Sequence, residues 1–206
     1  MKHLKLLTIM LLFAVFAFTG YAQEARNDVE QTYLSQVGVL EATGHNDGVE
    51  VANYLESTGL GEGYAWCAAF VNWTYVQHDV DVPARAPAWS PSWFPPERVY
   101  SDITNGGSTP QKGDVFGLYF KSKQRIAHVG FIHKWPQNAN YCITVEGNTN
   151  KAGSRDGDGV YKKRRLKRQI YKVSNWIGYN SLHGDRFKHQ RLQTLYPIKI
   201  FYSNVA

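Results

Sequence analysis

The spacing of apolar side chains differs between the two halves of the chain, helical first and strand-like later. Residues 28–39 carry apolar side chains near helical period, which predicts a first helix. Asp47 and Glu50 fit a capping box at the start of a second helix, and Gly59 fits its end. Residues 66–76 are apolar on most of a helical surface, so this third helix is expected to be buried.

Short segments of alternating polarity follow from Pro110 onwards. They read "GDVFGLYF", "IAHVGFIH", "YCITVEGN" and "GVYKKRRLKR", and they predict four strands. Helices followed by a run of antiparallel strands indicate an α+β domain. Between the two halves, residues 81–97 form a loop rich in proline and aromatic residues, whose aromatic side chains either cover the core or line a groove.

The N-terminus has the layout of a secretory signal peptide. Lys2 and Lys5 supply positive charge, residues 6–18 are almost entirely apolar, and small residues precede a cut after Ala22. This apolar run is too short to cross a bilayer, which needs about 20 residues. We therefore expect a signal peptide over residues 1–22, export to the periplasm or beyond, and no stable membrane insertion after cleavage.

Composition and charge narrow the class of partner. The remaining chain divides into a domain over residues 23–180 and a C-terminal tail over residues 181–206, to which the pattern assigns no role. Aromatic residues make up 14% of the chain, so it can build a real core and is not expected to be disordered. Without Lys2 and Lys5, 21 of the 23 basic residues stand against 17 acidic ones, a net charge of +4, which favours anionic partners mildly; nucleic acid is a poor partner for an exported protein.

Two cysteines are present, and Cys67 is the candidate for chemistry. It lies at or near the first turn of the buried helix, where unpaired N–H groups and the positive end of the helix dipole favour a thiolate. A thiolate, not a thiol, attacks carbonyl carbons. From its position alone, Cys67 could equally be a buried structural cysteine. A disulfide with Cys142 is the weaker alternative for an exported protein, because it would cap the proposed nucleophile, and Cys142 is better interpreted as a free thiol on the strand that carries Glu146.

A histidine and a glutamate on neighbouring predicted strands could complete a nucleophilic site. His128 shares a strand face with Gly130, which leaves space beside the imidazole, and Glu146 ends the next strand. A thiol, an imidazole and a carboxylate together make a Cys-His-acid relay. A zinc site is the weaker use of such residues, because His128 and His133 point to opposite faces and no closely spaced pair of ligands exists.

Four blocks, "WCAAFVNW", "PQKGDVFGLYF", "AHVGFIH" and "VEGNT", occur in this order and resemble the CHAP family of cysteine- and histidine-dependent amidohydrolases and peptidases. The resemblance covers roughly residues 29–177. It implies a papain-like fold, with N-terminal helices packed on an antiparallel sheet. It also implies that Cys67 is the nucleophile, His128 the base, Glu146 the third member and Asn148 a fourth, without a cofactor. The implied substrate is peptidoglycan, cut either between N-acetylmuramoyl and L-alanine or within its peptides.

Aromatic and basic side chains are the candidates for substrate contact. Trp66, Trp89 and Trp93 are predicted to bind substrate, with the aromatic loop as one groove wall. The basic residues of the run 162–168 either protect an exposed edge strand or attract anionic wall polymer. Two other functions stay open: a non-catalytic wall- or glycan-binding module on the same fold, and a secreted antibacterial toxin with the same chemistry.

Overall fold

Three helices and five antiparallel strands form the part of the chain that the computed structural model describes, residues 20–103, 107–151 and 157–177. The predicted signal peptide lies outside the described residues over 1–19, and the predicted C-terminal tail, 181–206, lies outside them entirely. The α+β prediction is confirmed, with helices packed on an antiparallel sheet.

The helices are α1 (residues 20–35), α2 (Val49–Glu56) and α3 (Cys67–Val76). The described part of α1 includes residues before the predicted start at 28. The helix ends earlier than its apolar spacing predicted, because the chain turns over residues 36–38 and Gly38 adopts a φ of 101°. A left-handed backbone of this kind ends helices and favours glycine.

The capping box predicted for α2 is wrong. The helix starts from Gly48 without a side-chain cap. The Asp47 carboxylate instead accepts hydrogen bonds from the Thr43 N–H (2.9 Å) and from the Thr43 hydroxyl (2.6 Å). Asp47 therefore closes the turn that precedes the helix rather than the helix itself.

The strands are β1 (Val115–Phe120), β2 (Arg125–Lys134), β3 (Tyr141–Thr149), β4 (Gly159–Leu166) and β5 (Lys172–Ser174). They pair antiparallel in the order β4-β3-β2-β1-β5. The first four match the predicted segments, and β5 escaped prediction because three residues are too few for an alternating pattern. Strand β4, which carries most of the basic run, lies at an edge of the sheet, as one interpretation of that run predicted.

Helix α3 is held tightly against the centre of the sheet. Eight of its ten residues are buried, and Phe70 contacts Phe131 of β2 ring to edge. A Cβ on Gly147 of β3 would lie 2.6 Å from the Trp66 ring and 2.9 Å from Phe70, so only glycine permits this approach. The start of α3 is thereby fixed beside the middle strands.

Polar anchors tie α1 to the rest of the domain. The buried Arg26 guanidinium donates hydrogen bonds to the Asp114 carboxylate at 2.8 Å and to the Lys112 carbonyl at 2.7 Å.

Among the described residues, no helix combines the length and the apolar character that crossing a bilayer requires.

Candidate active site

Cys67 is the first residue of α3, and its side chain is only 6% exposed. Its thiol forms a hydrogen bond with the His128 imidazole and receives another from the backbone N–H of Val129. The Ser90 hydroxyl lies 3.7 Å from Sγ. Two strand groups and one loop hydroxyl therefore converge on the sulfur, in addition to the helix start that the sequence indicated.

The environment of Cys67 favours the thiolate. Burial raises the pKa of the thiol, but the hydrogen bond and charge of His128, helped by Val129 and Ser90, outweigh it and lower the pKa from 9.0 to about 7. Cys142 shows the opposite case: burial raises the pKa of its thiol to about 11. Both cysteines are free thiols, as expected for Cys142, and the weaker alternative of a disulfide is wrong.

His128 connects the thiol to a carboxylate. Its Nε2 lies 2.9 Å from Oε2 of Glu146, which leaves Nδ1 for the hydrogen bond with Cys67. A Cβ on Gly130 would lie 3.1 Å from Cγ of Glu146. The absence of a side chain at Gly130 therefore leaves room for the Glu146 side chain to reach the imidazole. Burial disfavours the imidazolium, yet the bonds to Cys67 and Glu146 prevail and raise the pKa of His128 from 6.5 to about 9.

Glu146 is completely buried and bonded on both oxygens. Oε1 accepts from the Thr144 hydroxyl and from Nε of Arg165, and Oε2 accepts from His128 and from Nη2 of Arg165. Burial alone would raise the pKa of this carboxyl. The hydrogen bonds from Arg165 and His128 reverse that effect and lower its pKa to about 2.

The Asn148 side chain forms its hydrogen bonds away from the imidazole. Its amide nitrogen donates to Asn46 at 2.7 Å and, at 3.4 Å, to Glu41. Glu41 also accepts the Trp66 indole N–H at 2.8 Å. Glu146 is therefore the carboxylate that hydrogen-bonds His128, while Asn148 joins β3 to the loop before α2.

The three tryptophans predicted to bind substrate differ in their exposure to solvent. Trp66 and Trp93 are fully buried in the core, so their surfaces cannot meet a substrate, and this part of the prediction needs correction. Trp89 is 46% exposed and stacks against Arg125, whose guanidinium carbon lies 4.0 Å from the ring centroid. The aromatic loop therefore mostly covers the core, with Phe94 also buried, and presents Trp89 outward.

An open cleft of about 1070 Å³ exposes the site to solvent. Cys67 and His128 line it together with His45, Asn46 and Asn148. The apolar Phe120, at the end of β1, and the cationic Lys123, in the β1–β2 connection, line the same cleft. These side chains could contact an extended substrate that carries amide and carboxylate groups.

In the described part of the chain, no group of three or more His, Cys, Asp or Glu side chains is placed to bind one ion. His133, the second histidine of β2, instead lies 3.1 Å from Glu30 of α1.

Three residues of the site escaped prediction: Ser90, Thr144 and Arg165. Ser90 sits in a proline-rich segment whose fold the sequence does not show, and Thr144 looks like an ordinary strand residue. In the sequence, Arg165 belongs to the basic run 162–168, and its charge does not distinguish it from its neighbours in that run. Its position two residues beyond Lys163, on the same strand face, was the available signal, because alternate residues of an edge strand face the sheet interior.

The CHAP domain family model matches residues 59–148, a stretch that contains Cys67, His128 and Glu146. The resemblance seen in the four sequence blocks is thus confirmed over these residues, and the members of the matched family generally hydrolyse peptidoglycan. A search of curated proteins finds no match.

Solved structures with a similar fold include Resuscitation Promoting Factor Interacting protein RipA, in forms mutated at a histidine and at a cysteine. Each is 17% identical, covers 77% of this chain and has a TM-score of 0.46. This chain spans 65% of the length of those RipA chains. The crystal structure of Ly7917 is 13% identical, covers 74% of this chain and 62% of its own, and has a TM-score of 0.39.

Proposed function

We propose that this chain is an exported cysteine hydrolase that cleaves an amide bond of peptidoglycan. The observation that carries the proposal is the hydrogen-bonded line from the Cys67 thiol through His128 to Glu146, open to the cleft at its sulfur end. With pKa values of about 7 for Cys67 and about 9 for His128, the thiolate–imidazolium pair predominates between these values.

In the first half of the reaction, the Cys67 thiolate attacks the amide carbonyl carbon and forms a tetrahedral intermediate. The imidazolium then gives its Nδ1 proton to the leaving nitrogen, the C–N bond breaks, and a thioester remains on Cys67. In the second half, neutral His128 takes a proton from water as the water attacks the thioester. Loss of the thiolate releases the new carboxyl group and restores the ion pair.

Glu146 keeps the imidazole in one orientation through both halves. It accepts from Nε2, which fixes the ring so that Nδ1 faces the sulfur, and its negative charge stabilises the imidazolium.

The oxyanion has two candidate donors. One is the backbone N–H of Cys67, because the first N–H groups of a helix have no partner within the helix. The other is the Ser90 hydroxyl, which lies 3.7 Å from the sulfur and so borders the carbonyl that the sulfur attacks.

A peptidoglycan substrate suits both the cleft and the expected location. Wall peptides present amide groups and free carboxylates, and Lys123 with the amides of Asn46 and Asn148 can pair with them. Lys2, Lys5 and the apolar run 6–18 support export. The scissile bond is either the N-acetylmuramoyl-L-alanine amide or a peptide bond of the stem or cross-bridge.

The test incubates purified peptidoglycan with the wild-type protein, Cys67→Ala or Cys142→Ala. Mass spectrometry then identifies the muropeptides that each protein releases. We expect release by the wild type and by Cys142→Ala, and none by Cys67→Ala. A new N-terminal L-alanine would identify an amidase, and a cut peptide an endopeptidase. Release by Cys67→Ala at the wild-type rate would rule out the scheme.

Iodoacetamide separates this proposal from the alternative of a non-catalytic binding module. A binding module has no use for an ionised thiol, whereas a nucleophile is alkylated near neutral pH. We expect alkylation at Cys67 and little at the buried Cys142, whose thiol stays protonated at that pH.

A further inference from the structure

Among the described residues outside the proposed relay, Arg165 forms two hydrogen bonds to Glu146, where Thr144 forms one. Its guanidinium binds both oxygens of Glu146, Nε to Oε1 and Nη2 to Oε2, each at 2.5 Å. The Arg165 side chain is only 16% exposed, and the carboxylate is 0% exposed. Two parallel charge-assisted hydrogen bonds in a buried site fix both the position and the plane of the carboxylate.

Strand register alone does not explain why Arg165, rather than Lys163, binds Glu146. Arg165 lies opposite Cys142 in the β3–β4 pairing, and Lys163 lies opposite Thr144, one step nearer to Glu146. Yet the Lys163 ammonium turns away to the Asn150 carbonyl at 2.5 Å. The guanidinium fork matches a carboxylate in a way that an ammonium does not, which accounts for the residue type.

The charges along this line balance. With thiolate and imidazolium formed, the order is negative at Cys67, positive at His128, negative at Glu146 and positive at Arg165. Without the arginine the buried line would carry a net charge of −1, which a buried site disfavours.

We propose that Arg165 is a positioning residue for the reaction: its guanidinium fixes the Glu146 carboxylate against His128 and balances the negative charge of that carboxylate. This inference rests on the proposed function for its effect on catalysis, but its effect on the thiol can be measured without any substrate.

The charged and titratable groups that face Glu146 define what removal of Arg165 should do. They come from three strands: His128 on β2, Cys142 on β3, and Lys163 and Arg165 on β4. Loss of the arginine cation raises the pKa of the neighbouring acids and bases. Glu146 still keeps the His128 and Thr144 bonds, so it stays ionised near neutral pH, as the aspartate of a Ser-His-Asp triad does.

The experiment measures the rate of Cys67 alkylation by iodoacetamide against pH in the wild type, Arg165→Gln, Arg165→Lys and Arg164→Gln. Mass spectrometry follows the tryptic peptide with Cys67, which is separate from the one with Cys142. The pKa values of Cys67 and of His128 bound the pH range in which the ion pair predominates. In Arg165→Gln, both should rise by about one unit. Arg164→Gln is the matched control, because Arg164 is exposed and stacks on Tyr141 instead.

Arg165→Lys separates charge from geometry. It keeps the positive charge, so its alkylation profile should stay close to the wild type. It loses the fork, so kcat for muropeptide release should fall on the order of tenfold with KM little changed.

Folded Arg165→Gln with a wild-type alkylation profile would overturn the inference, as would Arg165→Lys with wild-type kcat. If Arg165→Gln does not fold, the kcat of Arg165→Lys decides. If the wild type releases no wall fragments, the proposed function fails, while the shift in Cys67 alkylation still tests the charge role of Arg165.

Discussion

Replacement of Glu146 by glutamine tests whether a buried, ionised carboxylate holds the site together. Its pKa in the folded protein is about 2, below the ordinary value of 4.5. A lowered pKa means that the stabilisation is fully present above about 4.5 and is lost as the pH falls towards 2. Linkage converts this shift into stabilisation on the order of 3 kcal/mol at pH 7.

A second estimate of the cost comes from the partner. Glu146→Gln leaves the Arg165 guanidinium in a nearly buried site opposite a neutral amide. Removal of one member of a buried ion pair typically costs about 3–5 kcal/mol. The two estimates agree, so we expect Glu146→Gln to lower the free energy of unfolding by about 3 kcal/mol at pH 7.

Urea unfolding at pH 7 and pH 3 measures this loss for Glu146→Gln, Arg165→Gln and the double variant. At pH 3 the difference between the wild type and Glu146→Gln should be about half its value at pH 7. The double variant should lose less than the two single losses combined, by more than about 1 kcal/mol, because the second change removes the charge that the first left unpaired. The exposed Glu97→Gln serves as the control.

Two results would refute this reasoning. A loss that is the same at pH 7 and pH 3 would mean that Glu146 does not contribute through its charge. Additive losses in the double variant would mean that Glu146 and Arg165 do not stabilise the fold as a pair.

Two further predictions concern the reaction itself. The pH profile of kcat/KM should be bell-shaped, rising as the Cys67 thiol ionises near 7 and falling as the His128 imidazolium loses its proton near 9; a profile that still rises above pH 10 would contradict the ion pair. Ser90→Ala should raise the pKa of Cys67 and slow its alkylation at pH 6 several-fold, because the thiolate loses a donor. Ser92→Ala, in the same turn, is the control, and equal rates for both variants would exclude a role for the Ser90 hydroxyl.

The elements that follow a regular period could be predicted from the sequence, and those that depend on tertiary contacts could not. Four strands and the buried α3 follow from alternation and from apolar coverage. The start of α2 did not, because the Asp47 carboxylate satisfies Thr43 rather than the helix, and the two arrangements look alike in a sequence. Strand β5 is defined by its pairing with β1, which no local pattern reports.

Of the predicted site residues, those in the relay lie together in the structure and the outer ones do not. Cys67, His128 and Glu146 stand at a helix start, mid-strand and near a strand end, positions that local sequence fixes. Trp66 and Trp93 were misjudged because an aromatic ring next to a reactive residue is as useful for packing as for substrate contact. Which role it takes depends on which way the ring points, and that is decided by packing.

The structure adds a second reason for placing a thiol at the start of α3. The sequence pointed to the helix dipole as the source of thiolate character. Among the groups that lower the pKa of Cys67, the largest contribution comes from the His128 hydrogen bond, and the Val129 N–H adds to it, so both come from β2. Helix α3 positions the sulfur, and groups of β2 help to stabilise its negative charge. The close approach that Gly147 permits between α3 and β3 is therefore part of the chemistry, since a looser helix would carry Cys67 away from the groups that hold its charge.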